Sequence, residues 1–180
     1  SITVGIPFYK KTNAEYFDIE NKSIINQTVS ADKIHLIQDG DIDGVLIKII
    51  TKYQKKYPNI KLIKLPKKGL PYALNQSIKQ SDTEYYARMD ADDISLKNRF
   101  ESQVSYFQKN INLEILGTWV YEFEKDYQKE SLFINKTPIK KDMIESYVHY
   151  RNPLAHPTVM FKMSVFNKIG YYNEEMYTDQ

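Results

Sequence analysis

Tyr85-Tyr86-Ala87-Arg88-Met89-Asp90-Ala91-Asp92-Asp93 is the stretch around which this chain is organised. It opens as an aromatic and apolar run, the composition of a buried strand, and closes on three carboxylates within four residues. Folding alone gains nothing from them. Carboxylates crowded at a strand end repel one another unless a cation lies between them. Hard oxygen ligands suit Mg²⁺ or Mn²⁺, which bind through one or two carboxylates and complete their shells with substrate phosphate. Asp92 or Asp93 would also cap a helix beginning near Ser95, Asp being a preferred N-cap residue. A cap accounts for one carboxylate and leaves the other two, and Arg88, unexplained.

Upstream, strands and helices alternate. Ile2-Thr3-Val4-Gly5-Ile6-Pro7 reads as a buried strand that stops at Pro7. Residues 12–27 read as a helix with Tyr16, Phe17, Ile19, Ile24 and Ile25 on its apolar face. Lys33-Ile34-His35-Leu36-Ile37-Gln38 is a second strand, ended by Asp39-Gly40. Residues 43–57 form a helix that Asp43 can cap, with Val45, Leu46, Ile49, Ile50, Tyr53 and Tyr57 at helical spacing. Ile60–Leu65 alternates as a third strand, Lys67-Lys68-Gly69 turns, and residues 71–79 form a helix with Pro71 in its first turn. Such alternation predicts an α/β fold with a mostly parallel sheet, and in parallel sheets ligands sit at the carboxyl ends of the strands. Pro7 and Tyr9, Asp39 and Gly40, residues 67–69 and residues 90–93 all collect at that edge.

Beyond Asp93 the pattern changes. Residues 97–110 read as a helix turning Phe100, Val104 and Phe107 inward, and residues 114–123 as one long strand with Ile115, Leu116, Trp119 and Val120 in its core. A turn at 126–129, a returning strand at 131–134 and a helix at 138–147 burying Met143 and Ile144 follow. A Pro-bounded loop at 151–157 leads to a strand at 158–161, then to a short helix stopped by Gly170.

Composition narrows the function classes. At 180 residues the chain is one domain with room for a real core. A net charge of +2 leaves no general polyanion footprint, so nucleic acid is not an expected partner. With no cysteine there is no disulfide framework, thiolate zinc site or cysteine nucleophile. There is neither a signal-peptide h-region nor an apolar run near the roughly 20 residues that span a bilayer, so a cytoplasmic location is expected.

The chain resembles the bacterial family 2 glycosyltransferases of the GT-A nucleotide-diphospho-sugar fold, in the branch that builds capsule, exopolysaccharide and O-antigen chains. The resemblance rests on Val4-Gly5-Ile6-Pro7-Phe8-Tyr9, Ser23-Ile24-Ile25-Asn26-Gln27-Thr28, Ile37-Gln38-Asp39-Gly40, Lys68-Gly69-Leu70 with Ala73-Leu74-Asn75, Ala87-Arg88-Met89-Asp90-Ala91-Asp92-Asp93, and Arg151-Asn152-Pro153 through His156-Pro157-Thr158-Val159-Met160-Phe161, in that order. It implies an inverting transferase moving a sugar from a nucleotide diphosphate, UDP-sugar favoured, to a saccharide or lipid-linked acceptor. Residues 1–95 would be the nucleotide-binding half. Residues 96–180 would begin an acceptor-binding half that is incomplete, as in a chain truncated at its C-terminus.

The resemblance also implies roles. Asp39 matches the carboxylate that takes a nucleobase N–H, with Pro7 and Tyr9 flanking the base. Asp92 matches the direct ligand of Mn²⁺ or Mg²⁺, and Asp90 faces the ribose or the metal's water. Arg88 orients those carboxylates, pairs with one of them, or touches phosphate. Lys67, Lys68 and Gly69 lie where nucleotide contacts are made. Asp179 matches the base that takes the acceptor proton; Thr178 stands where the family has Glu, which leaves Glu174 or Glu175 as the alternative. His156 falls on the acceptor side. Lipid-linked acceptors would bring the full-length protein to the inner face of the bacterial membrane as a peripheral associate.

Two other readings share the α/β frame. A nucleotidyltransferase making nucleotide sugars carries a Gly-rich phosphate loop after its first strand, whereas Phe8-Tyr9-Lys10-Lys11-Thr12-Asn13 has no glycine. A non-catalytic Mg²⁺-binding α/β module of the response-regulator kind gathers acids at strand ends, but the Asp-Ala-Asp-Asp spacing fits it poorly.

Overall fold

The computed structural model describes residues 1–123 and 133–175; the turn expected at 126–129 and Asp179 lie outside the described residues. Its strands are β1 (Ile2–Phe8), β2 (Lys33–Asp39), β3 (Ile60–Leu65), β4 (Tyr85–Arg88), β5 (Ile115–Leu116), β6 (Val120–Glu122), β7 (Phe133–Asn135) and β8 (Met160–Lys162). Its helices are α1 (Ala14–Ile25), α2 (Gly44–Lys56), α3 (Leu70–Lys79), α4 (Arg99–Lys109), α5 (Lys141–Tyr147) and α6 (Ser164–Ile169). The main sheet runs β3-β2-β1-β4-β8-β5. Strands β1 to β4 are mutually parallel, and β8 is antiparallel to both β4 and β5.

Local chemistry explains the elements. Asn13 Oδ1 caps α1 by accepting from the amides of Glu15 and Tyr16, and Asp43 Oδ1 caps α2 through those of Val45 and Leu46. Pro7 lies inside the central strand β1 rather than ending it. The Gly5 carbonyl accepts from the Met89 amide, so Gly5 and Pro7 both point their backbone groups toward β4. β4 ends at Arg88, opposite Gly5, so the missing Pro7 amide forfeits no ladder bond. Gly5 must be glycine for another reason: a Cβ there would lie 1.8 Å from the Tyr86 hydroxyl, which crosses beneath β1 to reach Ser77 Oγ.

Helices cover both faces of the sheet. On one, Phe17, Ile24, Leu46, Ile50, Phe100 and Phe107 form the core with β1 and β2. On the other, Ala73, Leu74 and Ile78 of α3 and Phe166 of α6 pack on Ile37, Ile63, Tyr86 and Phe161.

The structure departs from the sequence expectations in several places. The inward stripe of α2 is Leu46, Ile50 and Tyr53, leaving Val45 exposed on its shoulder, and Tyr16 is likewise exposed. The strand expected at 114–123 is two strands in different sheets. The chain leaves the main sheet at Gly117, where a Cβ would meet Leu154 Cδ2 at 3.0 Å, and the next amide, Thr118, is taken by Thr158 Oγ1 at 2.9 Å. β6 then pairs with β7 as a separate ribbon. Trp119 is therefore 44% exposed, its Nε1 donating to the Thr137 carbonyl. α5 starts later than expected, at Lys141, and buries none of its residues; Met143 is 52% exposed.

Candidate active site

The four parallel strands deliver their C-terminal ends to one edge, and three of the loops there enclose a cavity of about 310 Å³. Tyr9 follows β1, Asp39 and Gly40 end β2, and Leu65, Pro66 and Lys67 end β3; all six line it. Gly40 and Gly69 take positive φ (83° and 89°), the region where glycine is unstrained. The Gly40 amide donates to the Leu65 carbonyl, locking the two strand ends together. The Asp39 carboxylate accepts from the Lys68 amide at 2.8 Å and from the Gly69 amide at 3.1 Å. Asp39 is thus held by the loop that begins α3. Pro7 stands half-buried on the strand before this rim. Lys68 contributes its amide here, while its ammonium sits 4.8 Å from the Tyr72 ring centroid; Lys67 is the lysine that lines the cavity.

The acidic loop lies beside β1, at the end of β4. Arg88 is buried and grips Asp90 in a two-pronged ion pair, Nη1 donating to Oδ2 at 2.7 Å and Nη2 pairing with Oδ1. Burial raises the Asp90 carboxyl above its ordinary range, and Arg88 opposes the rise. Asp93 is pushed up to about 6, by burial first and then by the charges of Asp90 and Asp92. Asp92 itself is exposed. These acids are crowded, part-desolvated and incompletely neutralised, the condition that a cation relieves.

Three residues that sequence reasoning missed underlie this loop. Glu20, on the buried face of α1, is fully buried, and neither of its carboxylate oxygens has a hydrogen-bond partner. Burial first, and Asp93 next, raise its pKa well above the ordinary carboxyl value, favouring the protonated form. Arg99, at the start of α4, reaches back to the Arg88 carbonyl at 2.9 Å and to Gln103 Oε1 at 3.1 Å. Gln27 grips the exit of the loop, Nε2 donating to the Leu96 carbonyl and Oε1 accepting from the Phe100 amide. Glu20 sits three residues after Phe17, on the inward stripe, which is the signal that could have marked it.

On the far side, His156 Nε2 lies 3.0 Å from the Tyr172 hydroxyl. Burial and the Arg88 charge lower the His156 pKa to about 4, so the imidazole is neutral. Glu174 accepts from Asn75 Nδ2, and both Glu174 and Glu175 are exposed.

The donor set fits a hard divalent cation of the Mg²⁺ or Mn²⁺ kind. Among the described residues no three His, Asp or Glu side chains converge as a ready-made cage. Such ions do not need one, because they take one or two carboxylates plus substrate phosphates. Asp92 is open to solvent and Asp90 is two residues away, on the same loop.

Residues 3–170 match the family model described as glycosyl transferase family 2. The chain belongs to that family. This family 2 chain is 34% identical over 179 residues to the UDP-Gal:alpha-D-GlcNAc-diphosphoundecaprenol beta-1,3-galactosyltransferase of Escherichia coli, a match covering 98% of the chain and 64% of the relative. It is 31% identical to the amylovoran biosynthesis glycosyltransferase AmsE of Erwinia amylovora, covering 98% and 65%. The chain thus spans a little under two thirds of the length of these relatives. Among solved structures it resembles S. aureus TarS 1–349, with a TM-score of 0.70 and 18% identity over 99% of this chain and 52% of that one. It also resembles the mannosyltransferase PcManGT of Pyrobaculum calidifontis, in complex with GDP-Man and Mn²⁺, with a TM-score of 0.67 and 14% identity over 97% and 48%. The fold is the GT-A type expected of family 2, a mostly parallel sheet between helices. No helix among the described residues is long and apolar enough to cross a membrane.

Proposed function

We propose that this family 2 chain carries the donor half, residues 1–95, and the start of the acceptor half, residues 96–180, of an inverting glycosyltransferase. It moves a sugar from a nucleotide diphosphate, UDP-sugar favoured, to a saccharide or lipid-linked acceptor in bacterial cell-surface polysaccharide synthesis. One observation carries the reading: a cavity floored by a carboxylate, Asp39, opens at the same strand edge as the acidic loop, with only β1 between them. The relatives support it. One is named for UDP-Gal and a diphosphoundecaprenol-linked substrate, another for amylovoran biosynthesis, and TarS has been crystallised with UDP.

In this reading Asp39 accepts from the nucleobase, with Pro7 and Tyr9 flanking the ring and Lys68 and Gly69 holding the carboxylate in aim. Asp92 binds the divalent cation, and Arg88 presents Asp90 beside it, toward the ribose or the cation's water. Once bound, the cation offsets the charge of the leaving diphosphate. Asp179 takes the proton from the acceptor hydroxyl, so that the hydroxyl oxygen attacks the anomeric carbon in line and inverts it. His156, neutral and hydrogen-bonded, contacts the acceptor. The full-length protein works at the inner face of the membrane when its acceptor is lipid-linked.

Calorimetric titration of UDP with and without Mn²⁺ tests this. Asp92→Ala should lower Mn²⁺-dependent affinity on the order of 100-fold, since even outer-shell partners of a metal cost about 10–100-fold, and should leave the fold intact. Asp39→Ala should weaken binding about 10–100-fold with or without metal, the worth of a hydrogen bond to a charged group. No UDP binding by the wild type would turn the reading toward a Mg²⁺-binding module. A metal-dependent effect alone from Asp39→Ala would remove it from the base.

A further inference from the structure

Helix α3 holds both sides of the site. Its N-terminal loop supplies the Lys68 and Gly69 amides that fix Asp39. One and a half turns later it presents Asn75, which is 1% exposed. The carboxamide there is fully used. Oδ1 accepts from the Tyr172 amide at 3.0 Å, and Nδ2 donates both to the Tyr172 carbonyl at 2.9 Å and to Glu174 Oε1 at 2.8 Å. The pair of bonds to one backbone residue is what a neighbouring strand would make, so a single side chain does the work of a ladder. Tyr172, gripped in this way, stands edge-on to Phe161, and its hydroxyl is hydrogen-bonded to His156 Nε2. Residues 171–175 form no helix or strand; their own contacts are a turn in which Asn173 Oδ1 accepts from the Glu175 amide and the stacking of Tyr171 on Phe166.

We infer that Asn75 is a positioning residue for sugar transfer. It sets the register of residues 171–175 against α3, and so fixes the His156–Tyr172 pair and holds Glu174 Oε1 in a hydrogen bond. This rests on the reading of the site as a glycosyltransferase and assigns it a device that couples the donor and acceptor sides through one helix. A misplacement near 1 Å at a reacting group costs on the order of 100-fold in rate, so a side chain that holds a segment in register acts on turnover rather than on donor affinity.

The test uses the natural full-length protein with UDP titration, sugar-transfer kinetics and amide hydrogen exchange. Asn75→Ala should lower kcat by about 10- to 100-fold, leave the UDP dissociation constant within about twofold, and strip exchange protection from residues 171–175. Asn75→Asp should do the same, because a carboxylate faces Glu174 where an amide donated. Pairing it with Glu174→Gln reverses donor and acceptor and should recover part of the lost kcat and protection. A UDP affinity that falls in step with kcat would overturn the inference in favour of general loosening of α3. A double variant no better than Asn75→Asp would also overturn it, as it must if Glu174 is itself the base. If the wild type binds UDP but transfers nothing, the transfer reading fails, and the exchange data alone judge the anchor: unchanged protection in Asn75→Ala sinks it.

Discussion

The region from β1 to β5 and the region from β6 to α5 belong to one chain yet are held by different means. In the first, β1, β2 and β4 bury most of their residues between two helical layers, and α1 and α2 start on side-chain caps. In the second, a two-stranded ribbon and a seven-residue helix without a side-chain cap expose Phe133, Ile139, Met143 and Tyr150. Among the described residues, polar contacts such as Trp119 Nε1 to the Thr137 carbonyl and Asn135 Nδ2 to Glu122 Oε1 help to hold the second region. Isolated ribbons and helices this short are marginal in water. The loops around Asp39 and Asp90 inherit their geometry from a dense core, whereas residues 120–147 rest on a few contacts of their own.

The sharpest test of that contrast is in the core. Phe17 is fully buried on α1, its ring centroid 4.9 Å from that of Phe8 at the end of β1. Phe17→Ala should cost about 3–5 kcal/mol in urea unfolding, a large share of the roughly 5–15 kcal/mol that holds a typical domain together. A loss below about 1 kcal/mol, the middle of the range for ordinary substitutions, would mean that the two regions are not held so differently.

The next test uses a place where the dense region buries carboxylate oxygens without hydrogen-bond partners. Glu20 faces Asp93, Asp90 and Asp92 of the acidic loop and Arg99 of α4. Its folded pKa is raised, so between the ordinary carboxyl value of 4.5 and that raised value the native state holds a proton that the unfolded chain has released. Stability must then fall as pH rises through this window. Measured by urea unfolding without divalent metal, the wild type should lose stability from pH 4.5 upward, and Glu20→Gln should flatten the slope. An unchanged slope would show that Glu20 titrates as it does in the unfolded chain.

How much of this the sequence reveals follows the same division. Ile60–Leu65 is a strand because apolar and lysine residues alternate, and Asp43 caps a helix because of its place before an apolar repeat; both are local facts. The acidic loop is legible because three carboxylates within four residues have no folding purpose. The partners of Glu20, Arg99 and Asn75 across the fold are not legible, since they lie on other elements: Asp93 for Glu20, the Arg88 carbonyl for Arg99 and Tyr172 for Asn75. The break at Gly117 is invisible for a related reason. Residues 114–123 carry a continuous β pattern, and what ends it is Thr158 and Leu154, which arrive from a distant loop. That Asp39 ends a strand can be read directly; that the Lys68 and Gly69 amides aim it cannot.

The smallest expected effect addresses the exposed region. Ile139 is 74% exposed just ahead of α5. Removing an apolar side chain that touches mostly water should change stability by no more than about 0.5 kcal/mol, so Ile139→Ser should be silent in the 180-residue chain. The same substitution in the natural full-length protein makes the comparison sharper. An equally silent result there leaves the ribbon and α5 as a surface held by its own polar contacts. A cost of about 2 kcal/mol or more, the scale of burying an aliphatic side chain, would mean that this face is covered in the whole protein. The difference between the two regions would then be one of context rather than of local contacts.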